Sequence, residues 1–475
     1  MDETSFPNAK PRSALLIAYK AFADLAGKGS LFVITIVAAR RLSPESFGVF
    51  SLGSTLGWIV AVASDWGIQL HLARAVARTP ANAAPLLRRW LRVRLWTAAG
   101  AVAIVAIGLA AGWRAAYATP IAVLAVVYAC SGLIELLHYF YRGLSRSDVE
   151  SSLTLWQRGG TLACGLIALA WKPDVTLLAI AMLIPVAVTL AISLRIAARL
   201  APDARLGPCE AVEPIGADTR VRAYNTVETI GADTRVFRSE TINSLSAVGV
   251  DPRSAAGADP RVGSSPLFAV FRRDVWPIGA GIVLSALYFR IDVFLVQLWS
   301  GTESVAFYNA VFRLVEALRL FPAAVLAVML PSLVRAGDLR PLARVAIPVT
   351  GFAIAAAAAL WIAAGRLIPF LYGAAYAAAV PAFRVLLLSF PLLALNFALT
   401  HQLVGWEGQR AYAGLCGLAL AINVALNARL IPRWSIEGAA WATLATEIVL
   451  TAGCSLALWS MRGAGRTPGD GAMTW

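Results

Sequence analysis

Leu177-Leu-Ala-Ile-Ala-Met-Leu-Ile-Pro-Val-Ala-Val-Thr-Leu-Ala-Ile-Ser-Leu194 runs for 18 residues without one ionisable side chain. As a helix it extends about 27 Å, close to the roughly 30 Å of a bilayer's hydrocarbon core. Ala98 to Trp113 and Val345 to Ala364 have the same character. In each the apolar residues are continuous, whereas a strand of a membrane barrel alternates apolar and polar positions. The whole chain agrees. Of 475 residues, 59% are hydrophobic and 14% charged, with a mean hydropathy of +0.70; a soluble domain carries about 25% charged residues. The sequence specifies an all-α polytopic membrane protein.

Apolar runs and their polar breaks place about 12 helices, near 14–39, 46–66, 92–112, 117–140, 152–171, 175–198, 275–299, 304–332, 342–364, 379–404, 411–431 and 437–460. Lys and Arg divide unevenly between the two sides of this arrangement. About 28 fall on the side of the N-terminus, including Arg74, Arg78, Arg88, Arg89, Arg92, Arg94 and Arg158, and about seven on the other. That bias sets both termini in the cytoplasm and accounts for the net charge of +14 without nucleic acid. Met1 to Ser13 is polar, holds Pro7 and Pro11, and lacks the order of a cleaved signal peptide. The first helix is therefore expected to act as an uncleaved insertion signal.

The segment 200–270 differs in composition from the rest. Ile215-Gly-Ala-Asp-Thr-Arg-Val221 recurs as Ile230-Gly-Ala-Asp-Thr-Arg-Val236, with echoes at 249–253 and 257–261. It has too little apolar surface to fold alone, and reads as a disordered cytoplasmic insert, more a tolerated repeat expansion than a lipid-binding arm. It separates a six-helix bundle over 1–199 from a second over 271–462, followed by a short cytoplasmic tail, 463–475. The halves echo each other: Pro44-Glu-Ser-Phe-Gly-Val-Phe-Ser51 aligns with Thr302-Glu-Ser-Val-Ala-Phe-Tyr-Asn309 at the same point of each bundle. Parallel repeats of this kind bind substrate between them near the membrane midplane.

Ionisable groups inside lipid cost at least about 2.5 kcal/mol each, so those present have a partner or a cavity. Lys20, Asp24 and Lys28 follow at four-residue steps along one face of the first helix. Arg290 and Asp292 lie in the seventh helix, and Arg313, Glu316 and Arg319 form a stripe on the eighth. Glu447 lies in the twelfth; Arg384, Glu135 and His138 sit nearer helix ends, where interhelix pairing explains them equally well. Lys20, Lys28, Arg290, Arg313 and Arg319 outnumber their acidic neighbours, so the expected cavity favours an anion. Asp24, Asp292, Glu316 and Glu447 are expected to pair with them or to couple an ion.

No catalytic pattern accompanies these groups, and an enzyme is not expected. His71, His138 and His401 lack metal-ligand spacing, and there is no P-loop. Cys130, Cys164, Cys209, Cys416 and Cys454 show no paired spacing, so neither a metal nor a disulfide is expected.

Several motifs, in order, resemble the polysaccharide-transport (Wzx-type) branch of the multidrug/oligosaccharidyl-lipid/polysaccharide (MOP) flippase superfamily. They are Ala39-Arg-Arg-Leu-Ser-Pro-Glu-Ser-Phe-Gly48; Asp65-Trp-Gly67 with Ala73-Arg74; Arg290-Ile-Asp292 with Val305-Ala-Phe-Tyr-Asn-Ala-Val-Phe-Arg-Leu-Val-Glu316. Pro322 and Pro331, Ile368-Pro-Phe-Leu-Tyr-Gly373, Asn423-Val-Ala-Leu-Asn427, Ile431-Pro432 and Glu437-Gly-Ala-Ala440 continue the series. The resemblance covers the chain except the 200–270 insert, which departs from the pattern.

The resemblance implies a flippase of the bacterial cytoplasmic (inner) membrane. It would move undecaprenyl-diphosphate-linked oligosaccharide from the cytoplasmic to the periplasmic leaflet by alternating access. The product would feed O-antigen (lipopolysaccharide), capsule or exopolysaccharide synthesis, with other polysaccharide-assembly membrane proteins as partners. No cofactor is implied beyond H+ or Na+, which Asp24, Glu316 or Glu447 could bind. Physical chemistry is compatible: an outward-moving diphosphate gains roughly 4 to 5 kcal/mol at 100 mV, interior negative. Two alternatives stay open, a drug or cation exporter of the same fold and a membrane glycan polymerase or ligase.

Overall fold

The computed structural model describes residues 11–112, 115–203, 276–335, 338–406 and 408–463. The expected 200–270 insert and the 463–475 tail lie outside these residues, apart from the helix ends at Asp203 and Gly463. The first half comprises α1 (Pro11–Arg41), α2 (Pro44–Ala63), α3 (Ile68–Arg78), α4 (Ala83–Gly112), α5 (Ala115–Gly143), α6 (Ser147–Trp171) and α7 (Val175–Asp203). The second comprises α8 (Trp276–Leu318), α9 (Leu320–Arg335), α10 (Arg340–Tyr372), α11 (Val380–Gly405) and α12 (Gln409–Gly463). No strand occurs among the described residues.

Two helices are too long to cross once. The 43 residues of α8 would extend about 65 Å if straight, twice the hydrocarbon core. Gly301, at φ 83° and ψ 178°, reverses it, and side chains then meet across the hairpin: Tyr308 OH donates to Asp292 Oδ2, and Arg290 Nη1 to Asn309 Oδ1 at 3.4 Å. The 55 residues of α12 reverse at Ser435, where Asn423 Nδ2 donates to Thr446 Oγ1 at 3.3 Å. Eight helical stretches among the described residues are long and apolar enough to cross a membrane, two of them being these hairpins. With each hairpin counted twice these make ten crossings among the described residues; α1 and α6, of 31 and 25 residues, are long enough to supply the two that would complete six per half. The reversals at Gly301 and Ser435 mark the loop side; α1 begins and α12 ends on the termini side.

Several boundaries differ from the sequence expectation, among them the end of α10, at Tyr372 rather than near 364. Helix α4 starts at Ala83 rather than near 92, because Arg88, Arg89 and Arg92 continue the helix instead of breaking it; long cationic stems are good helix formers. The second crossing ends at Ala63 and resumes as the separate α3. Asp65 makes that break, accepting from the backbone N–H of Gly67 at 2.9 Å and of Gln69 at 3.3 Å. Trp66 (φ 47°) and Gly67 (φ 83°) supply the left-handed turn.

The halves meet chiefly along α2 and α8, with α1 touching α8 and α10. The two aligned octets lie on this contact. A Cβ at Gly48 would run into the backbone carbonyl of Thr302, so only glycine lets α2 approach the α8 reversal this closely. One apolar core spans both halves and includes Ile34, Phe47, Val296, Val305, Tyr308 and Phe383. A smaller one on the termini side joins Leu72, Val76, Leu87, Trp90, Leu136 and Phe140.

Candidate functional site

The first half holds a cleft open to its surroundings. Its wall is built from α1 (Ser30, Leu31, Ile34), α2 (Trp58, Ala61, Val62), α5 (Tyr128, Ser131, Glu135), α6 (Gln157, Arg158, Thr161) and α7 (Met182, Val186), with Ile282 from α8. Gln157 Nε2 donates to Ser131 Oγ at 3.2 Å, tying α6 to α5 across the cleft. Arg158 lies against α1, its Cγ 3.1 Å from where a Cβ on Gly27 would stand. Lys28, the next residue of α1, is half-buried. Lys20 and Asp24 lie outside the residues whose side chains are described.

Behind this wall stands Arg94, 1% exposed. Its Nη1 donates to Ser64 Oγ at 2.5 Å and Nη2 to the Ala61 carbonyl at 2.9 Å, at the end of α2 where helix carbonyls are unsatisfied. Gly132 makes room for it: a Cβ there would stand 2.6 Å from Nη2.

The second half holds a polar network that begins about 14 Å from the loop-side reversals and extends about 13 Å further toward the termini side. Arg290, 2% exposed, donates to Glu316 Oε1 and Asn309 Oδ1 and is flanked by the rings of Phe289 and Phe312, at 5.3 and 4.8 Å from their centroids. Arg313 Nη1 reaches the other oxygen of Glu316 at 3.1 Å. Asp292 accepts from Tyr308 OH and from the Val293 backbone N–H at 2.8 Å. Glu447 accepts from Tyr288 OH and from Asn396 Nδ2 at 2.7 Å. Arg319 lies over Phe289 at 4.6 Å and, with Tyr288, Asn396 and Glu447, lines a small cavity.

The structure thus brings Arg290, Asp292, Arg313, Glu316, Arg319 and Glu447 into one half, with as many acids as arginines. Lys28 stands apart from them, on α1 of the first half. Sequence reasoning counted Arg158 and Arg94 as basic residues of the cytoplasmic side; Arg158 lines the cleft and Arg94 backs it. Trp58 and Tyr128 carried no signal, since an aromatic residue in an apolar helix looks like core packing. Among the described residues no group of three or more His, Cys, Asp or Glu could hold a metal ion.

The loop side is sealed. Tyr376, on the short turn Ala374–Ala379, packs edge-on against Phe47 of α2 at 6.0 Å and Phe307 of α8 at 5.3 Å. The outer end of α1 closes on α10, where Arg40 Nε donates to the Leu371 carbonyl at 2.9 Å.

Solved structures share this arrangement of two packed helical halves. An inward-facing multidrug resistance MATE family transporter of the MOP superfamily superposes with a TM-score of 0.61 at 12% identity, over 94% of this chain and 100% of that one. The lipid II flippase MurJ, in an inward closed conformation, gives a TM-score of 0.61 at 11% identity, over 94% and 87%. A MOP superfamily transporter from Pyrococcus furiosus, described with a binding pocket of reverse polarity suggesting a different function, gives 0.53 at 12% identity, over 96% and 98%. The chain has the MOP-superfamily transporter fold. No protein-family model and no curated protein matches its sequence.

Proposed function

We propose that this protein flips an undecaprenyl-diphosphate-linked oligosaccharide from the cytoplasmic to the periplasmic leaflet of the bacterial inner membrane, for surface polysaccharide assembly. The cleft of the first half carries the reading. Aromatic faces (Trp58, Tyr128), hydroxyls (Ser30, Ser131, Thr161), an amide (Gln157) and the charged Glu135 and Arg158 line one space. That mixture suits sugar hydroxyls and a phosphate, while a polyprenyl tail can remain in lipid. Arg158 and Lys28 would meet the diphosphate with Lys20, Arg313 and Arg319; Arg290 is committed to Glu316 and Asn309 and serves the architecture. The closed loop side fits a carrier loaded from the cytoplasm, given the charge bias that sets the termini there. Return of the empty carrier would draw on H+ or Na+ at Asp24, Asp292, Glu316 or Glu447.

Export of a small organic cation is the second reading, favoured by Glu447 among the rings of Tyr288, Phe289 and Phe397; Arg319 in the same cavity opposes it. A polymerase or ligase would need a large outer loop with catalytic groups, and the loop-side connections here are only a few residues long. The deciding experiment is a deletion strain. Lipid-linked repeat units should accumulate facing the cytoplasm, Arg158→Gln should insert normally yet fail to restore surface glycan, and drug susceptibility should not change. Normal surface glycan in the deletion strain would overturn the proposal.

A further inference from the structure

Between Asp65 and Glu135 the chain has no acidic residue, yet it carries Arg74, Arg78, Arg88, Arg89, Arg92 and Arg94 at the α3–α4 hairpin. Arg94 is drawn inward. Arg78, Arg88 and Arg92 are exposed. Arg88, Arg92 and Trp96 recur at four-residue steps and so share one face of α4. Trp96 is 77% exposed, and further along the same helix Ile104 and Ile107 are exposed as well. Cation, aromatic and aliphatic residues thus follow in the order of lipid phosphate, interface and acyl chain.

Helix α3 adds to this patch from the side. It is amphipathic, with Ile68, Leu72 and Val76 buried and the His71 ring packed on Trp90 at 4.9 Å. Burial first, and the like charge of Arg78 one turn away second, hold the Arg74 guanidinium below its ordinary range. The corresponding helix start of the second half is built differently: Arg340 and Arg344 stand there with an acid, Arg340 Nε lying 3.6 Å from Asp338 Oδ2.

We propose that the α3–α4 hairpin is a binding surface for acidic phospholipid headgroups in the leaflet of the termini side. Helix α3 leads directly from Trp66, whose backbone meets Gly279 of the other half. An occupied surface therefore also steadies the contact between the halves on that side.

The test uses the full chain in nanodiscs of phosphatidylcholine with a minority of phosphatidylglycerol, with retained lipid read by native mass spectrometry. The unaltered protein should retain phosphatidylglycerol preferentially, and salt should strip it while leaving phosphatidylcholine. Each arginine removed should weaken retention about fivefold, so that Arg78→Gln, Arg88→Gln and Arg92→Gln together cost roughly a hundredfold. The Arg340→Gln, Arg344→Gln protein should behave as the unaltered one. Equal retention of the two lipids by the unaltered protein, insensitivity of that retention to salt, or undiminished retention by the triple variant would each overturn the proposal. The salt titration decides by itself if the triple variant fails to insert.

Discussion

Arg40 of α1 donates through Nε to the carbonyl of Leu371 and through Nη2 to that of Phe370, capping the last turn of α10 across the boundary between the halves. Partial negative charge collects at a helix C-terminus, so a guanidinium there is favourable. Both bonds must break before the halves part on the loop side. At an exposed site the pair contributes on the order of 1 kcal/mol, which is about a fivefold shift in the closed-to-open ratio. Arg40→Ala should therefore speed labelling of a cysteine placed at Phe307, in a cysteine-free background, by an impermeant thiol reagent added on the loop side. Arg40→Lys should fall between, because a lysine cannot reproduce the fork. Identical labelling rates would remove Arg40 from the seal.

Gly48 tests the same seal from its packing. The atom a Cβ would strike is the backbone oxygen of Thr302, which cannot rotate aside. Gly48→Ala must push α2 away from α8, at about 1–3 kcal/mol. The expected result is a lower unfolding temperature together with faster loop-side labelling. Gly29, with open space around its Cβ position, is the control; Gly29→Ala should leave the labelling rate unchanged and should not lower the unfolding temperature.

Glu316 and Arg290 are a buried pair with unequal partners. Removing Glu316 takes the shared carboxylate from two cations, Arg290 and Arg313, whereas removing Arg290 leaves Glu316 with Arg313 still bonded at 3.1 Å. Breaking a buried pair costs about 3–5 kcal/mol. Glu316→Gln should thus lower thermal stability more than Arg290→Gln, and the double variant should be less destabilised than the two single losses added together. Equal losses would show that Arg313 contributes nothing at that carboxylate.

The crossings were legible because lipid demands continuous apolar length, and the half-repeat because both octets occupy the same turn. That those octets touch, through Gly48 and Thr302, was not legible: the approach depends on how two bundles pack. The break after Ala63 has its cause in the sequence, Asp65-Trp-Gly67, but the capping role of Asp65 shows only once α3 is seen to start there. The site was legible in part. Arg290, Arg313 and Glu316 stood out because charge in lipid is conspicuous, although their spacing could not reveal that they bond one another. Arg94 closes an arginine-rich run and so looked like the polar margin of a helix. Its burial depends on Ser64, the Ala61 carbonyl and the missing side chain of Gly132, which come from two other helices.

That last arrangement makes a reciprocal prediction. The guanidinium of Arg94 occupies the space a side chain at residue 132 would need, so Gly132→Ala should displace it from the Ala61 carbonyl. The expected loss is about 1–3 kcal/mol of stability, read as a lower unfolding temperature. Arg94→Ala alone should also destabilise, because it removes a donor from Ser64 Oγ and leaves the Ala61 carbonyl with only the Ser64 hydroxyl at 3.1 Å. With Arg94 already removed, however, an alanine at 132 meets no guanidinium. The double variant should then be no less stable than Arg94→Ala, a coupling of the size seen for residues in direct contact. Additive losses would mean that Gly132 is required for some other reason, and that the wall of the cleft does not depend on this fit.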